Sequence, residues 1–158
     1  MLQRIQTLYL AIVALACVLL FFFPLAAFFN ELEGNYKLFI YGIRSLDPEP
    51  RVVFSAFFTL PLVALVVVSF LLTIITIVSY KKRWLQVRLC AFNVITNIVL
   101  IMVIFFFYAP HITGITKVDP EYSYFGMLLP LIALAMLILA TRAIKKDEAL
   151  VKSADRLR

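Results

Sequence analysis

Four stretches of this sequence run for more than 20 residues with almost no charge, and that pattern limits the fold more than any other feature. They are residues 8–29, 52–78, 89–109 and 122–143, and the only charge within them is Arg142, near the end of the last. An apolar run of 18 or more residues is long enough to cross the hydrocarbon core of a bilayer as an α-helix. The chain is 64% hydrophobic and 15% charged, whereas a soluble domain averages about 45–50% apolar and about 25% charged. A soluble fold of 158 residues has too little interior to hide that surface. The expectation is an all-α integral membrane protein, a single domain built as a four-helix transmembrane bundle.

The second run would extend roughly 40 Å as a helix, against a core of about 30 Å, so it is expected to tilt, kink or project, with Pro61 as the kink. Pro24 and Pro130 fall inside the first and fourth runs, where neighbouring groups can satisfy the freed carbonyls. The first run also resembles a signal peptide, with Arg4 as its basic start and Leu25-Ala26-Ala27 as a cleavage site, but it is longer than a usual apolar signal core. A true span is the expectation.

Orientation follows from the basic residues. The N-terminus, the link between the second and third runs (Lys81, Lys82, Arg83, Arg88) and the tail together hold 11 of the 15 lysines and arginines. The other side holds Lys37, Arg44, Arg51 and Lys117 among six acids. The positive-inside rule places both termini and the 81–88 link in the cytoplasm, so the net charge of +6 reflects membrane orientation. No basic patch is interleaved with base-stacking aromatics, and no nucleic-acid partner is expected.

Residues 30–51 form the larger outer loop. Glu33-Gly34-Asn35 predicts a turn between two short extended segments, with Tyr36–Ile43 as the second, giving a small β-hairpin. Asp47-Pro48-Glu49-Pro50 reads as stiff and non-helical. Residues 110–121 form a short second outer loop that contains His111, expected to be solvated.

Polar residues inside the runs are few. Ser69, Thr73 and Thr76 lie in the second, and Asn93 and Asn97 in the third. Counted from the cytoplasmic ends, Asn93 and Thr76 are each roughly 5 Å deep, and Asn97 and Thr73 roughly 10 Å. The expectation is hydrogen bonding between helices, with a polar substrate pocket as the alternative. No ionisable residue lies in the middle of a run, which argues against a proton- or ion-coupled pump. No nucleophile motif, metal cluster or cofactor signature is present, so no catalytic, metal or cofactor residue is assigned. Cys17 and Cys90 fall on different helices at different depths, and no disulfide is expected.

Twelve of the 15 phenylalanines fall in the outer half of the runs. Phe22, Phe23, Phe57, Phe58, Phe106 and Phe107 are the core of this cluster. Phenylalanine lacks the polar tip that favours the membrane interface. Packing within the chain is one reading, and a docking face for another membrane protein or a lipid-like molecule is the other. The tail, 144–158, carries Lys145, Lys146, Lys152, Arg156 and Arg158. It reads either as a membrane-surface helix, with Ile144, Val151 and Leu157 against lipid, or as a cytoplasmic docking element. No GxxxG motif marks a dimer face, and oligomeric state is left open.

The chain ends carry a more specific signal. The start Met1-Leu2-Gln3-Arg4-Ile5-Gln6-Thr7-Leu8-Tyr9-Leu10, the stretch Phe22-Phe23-Pro24-Leu25-Ala26, and the close Arg142-Ala143-Ile144-Lys145-Lys146-Asp147-Glu148-Ala149-Leu150-Val151-Lys152-Ser153-Ala154-Asp155-Arg156-Leu157-Arg158 resemble a family of small four-span proteins of unknown function from Bacteroidota. The resemblance implies an inner-membrane location in a Gram-negative cell and carries no activity with it. Claudin-like proteins share the layout, but their outer-loop tryptophan and cysteine pair are missing, since Trp84 lies in the 81–88 link. The expected function is therefore a non-enzymatic accessory or interaction subunit of a larger inner-membrane assembly, in contact with lipid and with another membrane protein. The alternative is a binder or carrier of a lipid-like or quinone-like molecule. An intramembrane enzyme is the least expected.

Overall fold

Buried positions recur along the long helices at alternating steps of four and three residues. That spacing places one stripe per helix toward a common axis and favours side-by-side packing at small crossing angles. In the computed structural model, which describes residues 3–29, 34–47, 54–80 and 82–156, α1 (Gln3–Leu19) buries Gln6, Leu10, Val13, Cys17 and then Leu20 just beyond its end. Helix α2 (Leu60–Val78) buries Leu62, Val66, Ser69, Thr73 and Thr76. Helix α3 (Arg83–Val103) buries Gln86, Cys90, Asn93, Asn97 and Leu100. Helix α5 (Tyr124–Arg156) buries Ala133, Leu137, Ala140, Ile144 and Asp147. Contacts join α1 to α2 and α5, and α3 to α2 and α5, so the long helices close into a ring around these stripes. The chain is mostly helical, and three of its helices are long and apolar enough to cross a membrane: Phe57–Val78, Arg83–Thr116 and Tyr124–Ala149.

The first apolar run is not helical throughout. Helix α1 ends at Leu19, and a short turn through Pro24 leads into strand β1 (Ala26–Phe28). Pro24 therefore follows the helix and does not interrupt it. Strand β1 lies inside a four-stranded antiparallel sheet of order β3-β2-β1-β4, with β2 at Tyr36–Phe39, β3 at Gly42–Ser45 and β4 at Glu121–Tyr122. Its pairings Ala26↔Leu38 and Phe28↔Tyr36 put four buried residues on the face that covers the end of the helix ring. Segment 26–28 is thus an inner strand of the sheet, and a cut after Ala27 would divide it. The predicted hairpin is also redrawn. Tyr36–Ile43 is two strands joined at Ile40 and Tyr41, with Leu38 opposite Ile43. Of the predicted turn, Gly34 has φ +101°, a conformation that favours glycine. Glu33 lies outside the described residues. Asp47 clamps the base of the sheet: it accepts from the Asn35 backbone N–H at 2.5 Å and from Asn35 Nδ2 at 3.2 Å. Pro48-Glu49-Pro50 lies outside the described residues.

Pro61 does not kink α2. It occupies the first turn of that helix, where a missing N–H leaves no helical bond unmade. A 3₁₀ turn (Ala56–Thr59), capped by Ser55, precedes it. The proposed start of this span at Val52 lies outside the described residues.

The third helix is longer than expected at both ends. It begins at Arg83, six residues before the apolar run, and continues past Pro110 through a π-helical turn (Ile104–Tyr108) into α4 (Ala109–Thr116). In the π turn the Ala109 N–H donates to the Ile104 carbonyl, five residues back. This wider turn accommodates a proline that has no N–H and whose ring crowds the carbonyl four residues before it. His111 is accordingly on a helix, with its ring stacked against Phe107 (centroids 6.1 Å, 4°) and 5.1 Å from that of Phe58.

Helix α4 stops at Lys117, which takes a left-handed conformation (φ 52°) as its N–H reaches the Thr113 carbonyl at 2.7 Å. That geometry suits glycine at helix ends and strains a residue with a Cβ. Lys117→Gly is therefore expected to stabilise the protein by about 0.5–1 kcal/mol, read as a shift to higher denaturant in an unfolding titration. A loss of stability would show that the lysine side chain matters more than its backbone strain.

Candidate functional site

Four polar residues within the apolar helices, Ser69, Thr73, Asn93 and Asn97, converge on one place. Ser69 faces Asn93 and Asn97 across the α2–α3 contact, one turn of α2 away from Thr73. The Ser69 hydroxyl donates to Asn93 Oδ1 at 2.7 Å. Asn93 Nδ2 donates to the Ser69 carbonyl at 3.1 Å and to Thr73 Oγ1 at 2.7 Å. Asn97 Nδ2 lies 2.9 Å from Ser69 Oγ and 3.2 Å from Asn93 Oδ1. Cys17 of α1 adds a weak thiol contact to Ser69 Oγ at 3.7 Å. These four polar residues are each at most 1% exposed. Buried amides and hydroxyls satisfied by one another fix the register of the helices that carry them.

The register differs from expectation by about one helical turn. Asn93 meets Thr73 and Ser69, where the depth count paired it with Thr76. The cause is the short link: α2 ends at Val78 and α3 begins at Arg83, so α3 starts its return earlier than an apolar run beginning at Leu89 implies. Thr76 instead bonds its own helix at Leu72 O (2.7 Å), and its carbonyl accepts from Gln86 Nε2 at 2.9 Å.

A second polar cluster lies at the end of the ring opposite the sheet. Asp147, 6% exposed, accepts from Gln6 Nε2 through its carboxylate. Its backbone carbonyl accepts from Arg83 Nη1 at 2.9 Å. This joins α1, α3 and α5. Beside it, Gln6, Thr7, Leu10, Ile77, Tyr80, Arg83 and Gln86 line a cavity of about 260 Å³. None of Gln6, Gln86 or Asp147 was singled out by sequence reasoning. The signal was spacing: Gln6 is four residues before buried Leu10, Gln86 four before Cys90, and Asp147 three after Ile144, so each continues a buried stripe.

The tail is part of this arrangement. Helix α5 runs without interruption to Arg156, and Ile144 is buried in the core, not turned to lipid as a separate surface helix would place it. Lys145 and Lys146 are exposed. The side chains of Val151, Lys152 and Arg156, and the whole of Leu157 and Arg158, lie outside the described residues.

The phenylalanines divide. Phe58 packs among Phe54, Phe107, Tyr108 and His111, while Tyr108 donates its hydroxyl to the Phe58 carbonyl at 2.6 Å. Phe23 stacks on Phe125 at 5.7 Å. Phe57, Phe106 and Phe22 are 80%, 77% and 72% exposed, and Phe107 is 56% exposed. Phe57 is in the 3₁₀ turn before α2, and Phe106 and Phe107 are in the π turn after α3, whereas Phe22 lines a groove between α1 and α2. That groove, about 360 Å³, is lined by Cys17, Val18, Phe21, Phe22, Val66, Val67 and Phe70.

In the first cluster the Ser69 and Thr73 hydroxyls bond to amide groups and a backbone carbonyl. Among the described residues no three histidine, cysteine, aspartate or glutamate side chains come together as metal ligands. What the geometry does chemically is hold helices in register. A family model described as a domain of unknown function, DUF4293, matches residues 2–157. No curated protein matches the chain.

Proposed function

We propose that this chain, which belongs to the DUF4293 family, is a four-span protein of the inner membrane of a Gram-negative cell and serves there as a non-enzymatic accessory subunit. Three helices have the length and composition to cross. Helix α1 supplies the fourth crossing: its 17 residues span roughly 25 Å, and the hydrogen-bonded turn to Phe23 brings the column close to the core thickness of about 30 Å. Both termini and the 81–82 link lie on the cytoplasmic side by the distribution of lysine and arginine, and the sheet caps the bundle on the other side.

The observation that carries the accessory role is the division of labour between polar and apolar groups. The buried amides and hydroxyls of Ser69, Thr73, Asn93 and Asn97 are engaged with one another across α2 and α3. Large aromatic side chains at the sheet end, Phe57, Phe106 and Phe107, are uncovered. Exposed aromatic side chains toward one end of the helices suit a protein contact.

The test is purification from the native membrane in mild detergent, with quantitative mass spectrometry of the protein as it stands and of Phe57→Ser/Phe106→Ser. A stoichiometric membrane protein that is retained by the parent and lost from the variant is the expected result. A lone chain in both preparations would sink the subunit role. The second reading, a carrier of an apolar molecule, is favoured by the groove at Phe22. A lipid or quinone recovered in fixed ratio from the parent, and lost from Phe22→Ala but not from the Phe57/Phe106 variant, would establish that reading instead.

A further inference from the structure

We propose that α3 carries a binding site for an anionic phospholipid on its face away from the bundle, at its cytoplasmic end. Trp84 and Arg88 are one turn apart on that face, and the Arg88 guanidinium carbon lies 3.6 Å from the centroid of the indole. At that separation the cation lies over the ring, held by its quadrupole. Trp84 is 60% exposed, so the pair is presented outward and forms no part of the core.

Directly along the helix from this pair runs a groove of about 290 Å³ lined by Arg88, Ala91, Phe92 and Ile95. Positions 84, 88, 91, 92 and 95 share one face, opposite the buried stripe of Gln86, Cys90, Asn93 and Asn97. The step from Arg88 to Ile95 is seven residues, roughly 10 Å along the axis. The site therefore has a guanidinium at one end and a purely apolar channel leading away from it. This inference rests on the membrane reading above. There Arg88 sits at headgroup level, and the channel enters the hydrocarbon of the cytoplasmic leaflet.

The chemistry of the two ends selects one occupant. A guanidinium fork matches two oxygens of a phosphate. An indole at the same level is at home among headgroups. Ala91, set between Arg88, Phe92 and Ile95, leaves space that an acyl chain fills. A phosphodiester with an attached acyl chain satisfies both ends together. A headgroup with net negative charge is preferred over a zwitterionic one, whose own cation Arg88 repels.

The chain contains a single tryptophan, so Trp84 reports on its own site. The full chain is reconstituted in vesicles of zwitterionic phosphatidylcholine containing a small fraction of lipid brominated near the headgroup end of its acyl chains. The brominated lipid is either phosphatidylglycerol or phosphatidylcholine, and quenching of Trp84 fluorescence is followed. The expected result is an apparent association constant about fivefold higher for the brominated phosphatidylglycerol. This preference falls to near one in Arg88→Gln and is unchanged in Arg142→Gln, which removes an exposed charge of α5 toward the same side. Equal quenching by the two lipids would overturn the site while leaving the membrane reading intact. No quenching by either would overturn the membrane reading itself. Equal loss of preference in Arg88→Gln and Arg142→Gln would replace the site with diffuse attraction to a positive surface, and so would also overturn it.

Discussion

Gly126→Ala is expected to destabilise the protein by about 3 kcal/mol, the upper end for overpacking, although alanine is the better helix former by up to about 1 kcal/mol. A Cβ at Gly126 would lie 1.9 Å from the Pro24 carbonyl oxygen and 3.0 Å from the Leu25 Cα. Both are backbone atoms, so no side chain can swing aside. The approach is close because the Ser123 N–H donates to the Leu25 carbonyl at 3.0 Å while the Leu25 N–H donates to Leu38 at 2.7 Å. The start of α5, the turn after α1 and strand β2 are thereby tied in series. Gly114 supplies the control, because a Cβ there meets nothing within 4 Å. Gly114→Ala, inside α4, should be stabilising by up to about 1 kcal/mol. Unfolding both variants in a mixed detergent titration gives the comparison. Opposite signs are predicted, and a Gly126→Ala protein as stable as its parent would mean that α5 does not approach the Pro24 turn as described.

Asn93→Leu is expected to lose about 2 kcal/mol. The amide joins Ser69 through both its oxygen and its nitrogen and reaches Thr73 as well. Leucine keeps the volume and abandons those partners inside the bundle. Thr96, one turn from Asn93 and half-buried, donates within its own helix, to the Phe92 carbonyl at 3.0 Å. Thr96→Val should change stability by less than about 0.5 kcal/mol. Ser69→Ala combined with Asn93→Leu should cost less than the sum of the two alone, because they share bonds. Full additivity would show that the two side chains act independently and that the hairpin register has another origin.

Much of the bundle was legible because length and lack of charge survive any detail of packing. The runs at 52–78, 89–109 and 122–143 each overlap a helix that is long and apolar, at Phe57–Val78, Arg83–Thr116 and Tyr124–Ala149, although the last run's first residue, Tyr122, is in strand β4 and the helix starts at Tyr124. Their ends were less legible. Arg83, Gln86 and Arg88 break the apolar run, yet they continue the helix, since a polar residue on a helix turned toward a partner or an interface is no helix breaker. The strand at Ala26–Phe28 was hidden because a buried strand and a buried helix are equally apolar over three residues. Its partners, Leu38 and Tyr122, are distant in sequence. The polar cluster at Ser69, Thr73, Asn93 and Asn97 was legible as a set, because polar side chains in a long apolar helix stand out. Its pairing was not, since register depends on where the link turns. Gln6 and Asp147 were overlooked for the opposite reason: each sits near a chain end among other polar residues, and only the four-and-three spacing of the core extends to reach them.

In the proposed topology the chain crosses a membrane four times with its termini on one side. The two cysteines, Cys17 and Cys90, are free and buried, so a background with both replaced by alanine allows single cysteines to be placed at Lys37 on the sheet, Lys82 in the link and Lys145 near the end of α5. Labelling with a membrane-impermeant maleimide is compared in intact spheroplasts and after permeabilisation. The expected result is labelling of Lys37→Cys in intact spheroplasts and of Lys82→Cys and Lys145→Cys only after permeabilisation. Labelling of Lys37→Cys and Lys82→Cys from the same side, or of Lys82→Cys and Lys145→Cys from opposite sides, would contradict it.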